Sequence, residues 1–292
     1  MNDIQFLNKK ISLLVVGTFL VLNINAIQPA TPRPKNVFDA ATVDSGNIRI
    51  YYALNADNLK EQGTYYDLEC LEIGSNMSKF YSRFVFNSDS LCIDWVKKNP
   101  KAESAPGFMG IKYKDYDHWS EYRYSEFFKD FSTNTLFEYS RMPFLMGKAN
   151  AYYEENMPVF DWKIDADTLT VMNYLCQKAT CHFRGRDFTA WFTVDIPVNN
   201  GPWKFSGLPG LILKIYDNDN LYIFECVKTE FHKKKFPIYK YNDYSSYKKT
   251  EREKLLMFQK KIQENYFGVL GVVPLEKDYK PEKIVYHPLE LE

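Results

Sequence analysis

Arg184, Arg186 and Asp187 cluster around Gly185, and Trp191 and Trp203 follow within one short stretch. Two guanidinium groups beside a turn could grip an anion, because each offers a planar fork that matches a carboxylate. The two indoles would supply aromatic walls of the kind that line ligand sites. The same residues also allow a structural reading, in which an arginine at a hairpin tip is tied to backbone carbonyls or to Asp187. A second pattern follows at Gly207, Leu208, Pro209 and Gly210. Its glycines supply backbone angles that other residues resist, and Pro209 stiffens the loop. A loop so built can lie close against another backbone or a ligand.

Catalytic and cofactor chemistry finds little foothold. Ser206, in Phe205-Ser206-Gly207-Leu208, lacks the preceding glycine of a hydrolase elbow. His118, His182, His232 and His287 lie far apart, and none has a second ligand at zinc spacing. Asp217-Asn218-Asp219 begins like a calcium loop but lacks its glycine and its closing glutamate. Gly147-Lys148 lacks the upstream glycine of a phosphate loop. Cys181 and His182 would face opposite sides of a strand, which keeps a thiol from its base. A hydrolase built on Arg184, Asp187 and Asp195 has no nucleophile. These residues point to no metal and no cofactor, and to binding rather than turnover. His232-Lys233-Lys234-Lys235 reads as a solvated turn, with a contact to acidic head groups or glycans as its alternative.

The elements that position these groups are mostly strands. Ile48, Ile50, Tyr52 and Leu54 alternate with Arg49, Tyr51 and Ala53. Tyr66 to Ile73 repeats the pattern, and Phe80, Ser82, Phe84 and Phe86 mark a third strand. Leu91, Cys92, Trp95 and Val96 predict a short helix over 89–98, capped by Ser88 or Asp89. The stretch from Pro100 to Asn134 has no clear period. Strands are expected again over 136–141 and 149–154, from Val159, over 172–183 and 187–196 around Arg184-Gly185-Arg186, and over 211–216 and 221–228. Thr250 with Glu253 predicts a capping box, and Leu255, Phe258, Ile262 and Tyr266 predict an amphipathic helix stopping at Gly268. The expected fold is α+β, mainly an antiparallel sheet curled into a half-barrel or sandwich, with one short and one long packed helix. Helices over the mouth of such a sheet would leave an aromatic-lined cavity.

Lys9 and Lys10, the apolar run Ile11–Leu22 and the small residue Ala26 predict a cleavable leader over 1–26. The run falls short of the roughly 20 residues that span a bilayer, so no transmembrane segment is expected in the mature chain. Cys70 is the first cysteine, which argues against a lipid anchor at the cut. Pro29 to Lys35 reads as part of an extended spacer over 27–47, followed by one β-rich domain over 48–292. Cleavage removes Lys9, Lys10 and Asp3 and leaves a net charge of −1, which gives no basic footprint for nucleic acid. Export permits disulfides among Cys70, Cys92, Cys176, Cys181 and Cys226. Cys176 and Cys181 sit too far apart on one strand to pair, so cross-strand partners or free buried thiols remain.

Met172-Asn173-Tyr174-Leu175-Cys176, Phe183-Arg184-Gly185-Arg186, Ala190-Trp191-Phe192-Thr193 and Ile196-Pro197 follow in order. Gly201-Pro202-Trp203-Lys204-Phe205 and Gly207-Leu208-Pro209-Gly210-Leu211-Ile212 complete the set. Together they resemble the GLPGLI family of secreted Gram-negative proteins, a resemblance that covers about 55 residues of this chain. It implies a periplasmic or outer-membrane setting and an accessory role beside outer-membrane receptors, and it carries no catalytic residues across. The expected function is a non-enzymatic carrier of an apolar or envelope ligand. The alternative is an interaction module docking on an outer-membrane protein through the 201–210 loop.

Overall fold

The alternation from Ile48 to Leu54 belongs to a longer strand in the structure, a computed structural model describing residues 27, 29–33, 40–102, 109, 119–271 and 286–292. β1 spans Ala40–Leu54 and buries Ile50, Tyr52 and Leu54. Its first residues fall inside the expected spacer, and more of that stretch is docked. Ile27, Ala30 and Arg33 are buried, and the Trp119 N–H donates to the Ile27 carbonyl at 2.7 Å. The prolines keep this segment out of helix and strand without keeping its other side chains out of the core. The leader expected over 1–26, and residues 34–39 of the spacer, lie outside the described residues.

β2 (Asp67–Gly74) and β3 (Met77–Ser82) pair as expected. The third strand ends at Ser82 rather than running on through Phe86, because α1 (Arg83–Lys98) begins at once. The Ser82 hydroxyl accepts the Val85 N–H at 3.1 Å and caps the helix, so Ser88 and Asp89 lie inside it. Phe84 packs under this helix with Tyr65 and Leu68. Phenylalanines two and four residues apart satisfied a strand period and a helix period alike.

Residues 103–108 and 110–118 of the illegible stretch lie outside the described residues; its later part forms α2 (Glu121–Tyr124) and β4 (Ser125–Asp130). β5 (Thr135–Ser140), β6 (Ala151–Asn156) and β7 (Lys163–Val171) follow. β8 (Tyr174–Phe183), β9 (Arg186–Thr193) and β10 (Leu211–Asp217) fall close to where alternation put them. Met172 and Asn173 belong to a turn, both at positive φ. β11 (Ile223–Tyr241) is far longer than expected, because β1 runs beside it back to Ala40. His232 to Lys235 are therefore part of a strand, at the register shift opposite Asn47.

β12 (Lys248–Lys249) and α3 (Arg252–Leu270) follow. The capping box does not form: the Thr250 N–H donates to the Tyr152 carbonyl, which holds Thr250 against β6, and Glu251 takes the cap position without a side-chain bond. The helix runs past Gly268 and stops at Gly271, in the left-handed region at φ 70°.

Strands β1 to β6 form one meander and β7 to β11 a second, and the β1–β11 pairing joins them into one open twelve-stranded sheet. Among the described residues every pairing is antiparallel except β12 beside β6. The fold is thus mainly antiparallel β with helices packed on it, and the sheet does not close into a barrel.

The concave side is filled by the chain itself. Ile196, Trp203, Phe205 and Leu208, from the β9–β10 connection, are buried with Phe80 and Phe127 of the first meander and Phe188 and Phe192 of the second. Leu289 joins them. The expected aromatic cavity is occupied by this plug; a space of about 20 Å³ beside Trp203 and Leu289 has room for one water. All five cysteines are buried and free, so no cross-strand disulfide forms.

Candidate functional site

The β8–β9 hairpin turns through Arg184 at φ 47° and Gly185 at φ 82°, a two-residue turn whose backbone twist matches the strands it joins. A methyl group on Gly185 would collide with Leu291, so the turn also admits a close crossing by the 286–292 segment. The Arg184 carbonyl accepts the Leu291 N–H at 3.0 Å.

Arg184 and Arg186 both reach this segment but share no anion: Arg184 meets a carboxylate there and Arg186 a backbone carbonyl. Arg184 donates to Glu290 Oε2 at 2.6 Å and to Glu155 Oε2 at 2.5 Å. Arg186 belongs to β9, not to the turn; it donates to the Pro288 carbonyl from Nε at 3.0 Å and Nη2 at 2.6 Å, and to Asp217 from Nη1 at 3.0 Å. Asp217, at the end of β10, also accepts the Tyr222 N–H.

Lys204 and Arg252 complete the cluster. The Lys204 ammonium donates to Glu290 Oε1 and to the Tyr153 hydroxyl, and Arg252 reaches Glu290 Oε2 at 2.7 Å. Three cations thus meet one carboxylate. Burial works to raise the pKa of Glu290, but Lys204 and Arg184 outweigh it and hold the carboxyl below its usual range. Neither Lys204 nor Glu290 was singled out from sequence. The available signal was a lysine flanked by two large aromatics, Trp203 and Phe205.

Trp203 does wall this cluster, its ring 4.9 Å from the Lys204 ammonium. Trp191 does not: it lies half-buried on the outer face of β9, between Lys178 and Lys214 in the ladder. Asp187 also faces outward, 2.7 Å from His182 Nδ1. That pair lines an open groove of about 440 Å³ with Asp161, Lys163 and Asn218. Cys181 adjoins the groove, but burial pushes its thiol up to about 12, and it makes a poor nucleophile.

The 201–210 loop is a plug rather than an exposed surface. Gly207 (φ 96°) and Pro209 reach solvent, whereas Leu208 and Gly210 are buried. Gly210 lies directly against the Thr193 carbonyl, with no room for a β-carbon. From β4 below, the Lys129 ammonium donates to Asn200 Oδ1 (2.8 Å) and to the Gly201 (3.2 Å) and Phe205 (2.6 Å) carbonyls. Burial lowers this lysine to about 7.

A family model described as a protein of unknown function (Porph_ging) matches residues 184–214, which run from the hairpin turn through the plug into β10. No curated protein matches the chain. Two solved structures of PNGF-II, in P21 and C2 crystal forms, are similar at 15% identity and a TM-score of 0.45 over 75% of this chain. The chain aligns to about a third of the length of those chains, 34% and 33%.

Proposed function

We propose that the chain is an exported, non-enzymatic binding protein of the cell envelope that engages a polypeptide at its surface. The filled concave face carries this reading. A carrier of apolar molecules needs a pocket of some hundreds of cubic ångströms, roughly 300 or more. Here that place is taken by Trp203, Phe205, Leu208 and Leu289. A polypeptide partner needs only surface, and the rim beside the β8–β9 turn already holds an extended segment by backbone bonds and a carboxylate.

Export, and a position beside an outer-membrane receptor, are supported by the leader pattern and the GLPGLI resemblance. No helix among the described residues is long and apolar enough to cross a membrane. Photo-crosslinking residues placed in cells at Ser206, Pro209 and Leu291 test the reading, with Lys98 at the end of α1 as the remote control. Discrete protein adducts are expected at the rim and not at Lys98. Adducts at none of the rim positions would contradict it.

A further inference from the structure

We propose that the groove filled by residues 286–292 is a recognition site for an extended partner segment bearing leucine followed by glutamate, and that Pro288-Leu289-Glu290 occupies it as an internal stand-in. This rests on the proposed function and names its ligand class.

The way the segment is held divides as peptide recognition does. Backbone bonds give sequence-independent grip: Arg186 to the Pro288 carbonyl, the Tyr222 hydroxyl to the His287 carbonyl, and the Leu291 N–H to the Arg184 carbonyl. Two side chains give selection. Leu289 seats among the core aromatics, and Glu290 meets Lys204, Arg184 and Arg252.

The cations that line the groove have partners besides its occupant. Arg184 also meets Glu155 at 2.5 Å and Arg186 meets Asp217 at 3.0 Å. Lys204 keeps the Tyr153 hydroxyl at 2.6 Å and Glu138 at 3.7 Å. Arg252 keeps Glu155 at 3.8 Å. A joint built only for stability would strand buried cations when opened, a costly state. Here each cation has a standing partner in the sheet. Lys204, Arg184 and Arg252 face two largely buried carboxylates, Glu138 and Glu155, besides the exposed Glu253 at 3.9 Å from Arg252, so the buried part of the emptied groove is one negative charge short, and a ligand carboxylate supplies it.

A fluorescent peptide of residues 286–292, titrated by anisotropy, tests this against the full chain and against full-length L289A/E290Q. Saturable binding to the variant is expected. The unmodified chain should bind roughly a hundredfold more weakly, because its tethered segment competes at high effective concentration. A peptide with glutamine in place of Glu290 should lose at least about tenfold through the missing charge-assisted bond, and so should the variant carrying Arg252→Gln. A variant that melts cooperatively yet binds no peptide, or binds the glutamine peptide equally, overturns the proposal. If the variant does not fold, hydrogen exchange of the Leu291 amide in the unmodified chain decides. Exchange well ahead of the β9 amides supports a groove that opens by itself; exchange only with global unfolding overturns it. A dimer that swaps this segment would assign the groove to a second copy and overturn the partner. Rim crosslinks surviving any of these failures would leave the broader function standing.

Discussion

Lys129 and Glu69 are buried ionisable groups of opposite type without a counter-ion bond among the described residues, and they make opposite demands on pH. Burial holds Lys129 at about 7 against an ordinary 10.5. Between those values the unfolded chain binds a proton that the folded chain has released, so this residue's contribution to stability rises with pH. Lys129→Met should remove that rise, which urea melts of variant and parent at pH 7 and 9.5 would show; identical slopes would contradict it. Both Glu69 carboxylate oxygens lack a hydrogen-bond partner among the described residues, and burial raises its pKa well above the glutamate range. There the folded chain holds the extra proton, and stability falls as pH rises. Glu69→Gln should therefore melt higher than the parent at neutral pH and no higher in acid. The two loop glycines are constrained by different means. Gly207→Ala should cost about 1–2 kcal/mol for its left-handed backbone. Gly210→Ala should cost about 1–3 kcal/mol or more, because its methyl meets the Thr193 carbonyl within the sheet. Equal melting of both variants and the parent would mean that the plug is not packed as described.

Elements were legible wherever one period ran alone. Of the alternating set Ile48, Ile50, Tyr52 and Leu54, all but the half-buried Ile48 are buried, though Ala53 between them is buried too. Of Leu255, Phe258, Ile262 and Tyr266, all but the half-buried Phe258 are buried. Boundaries failed where a local signal met a tertiary one. Ser82 caps a helix where alternation continued a strand, and Thr250 is drawn into the sheet edge where its neighbours spelled a capping box. Helix caps therefore make a sharp comparison. Ser82→Ala should cost about 1–2 kcal/mol, since Val85 N–H and Asp67 both lose a partner. Thr250→Ala should change stability by less than about 0.5 kcal/mol, its hydroxyl having no cap to lose. Reversed thermal shifts for the two variants would return the cap to Thr250. Types and spacing singled out Arg184, Arg186 and Trp203, which the fold places near residues 286–292, and also Asp187 and Trp191, which it places on the outer face. The target of Arg184 was not legible, because Glu290 lies about a hundred residues downstream and only the fold brings it to Arg184.

At the scale of the whole molecule, two meanders share the β1–β11 seam and curl around a plug from the β9–β10 connection, and 286–292 crosses the hairpin turn at its rim. The two ends of the described chain are fastened by buried ions that respond alike to acid. Lys79 and Arg33 overcome the burial of Glu126 and hold it at about 2, so this anchor persists until pH falls through that value. Glu290 is likewise depressed, and its contribution is present at neutral pH and lost as pH falls through its folded value. Acid should thus quicken hydrogen exchange at the Leu291 amide, relative to the intrinsic rate at each pH. An unchanged relative rate would mean that Glu290 does not fasten the segment. The central claim is that the chain fills its own interior and binds at its surface. Native mass spectrometry of the protein purified from its own cells, beside a denatured control, tests this most directly. The expected result is the bare polypeptide mass or a protein complex. A reproducible small-molecule mass, lost on denaturation, would contradict it.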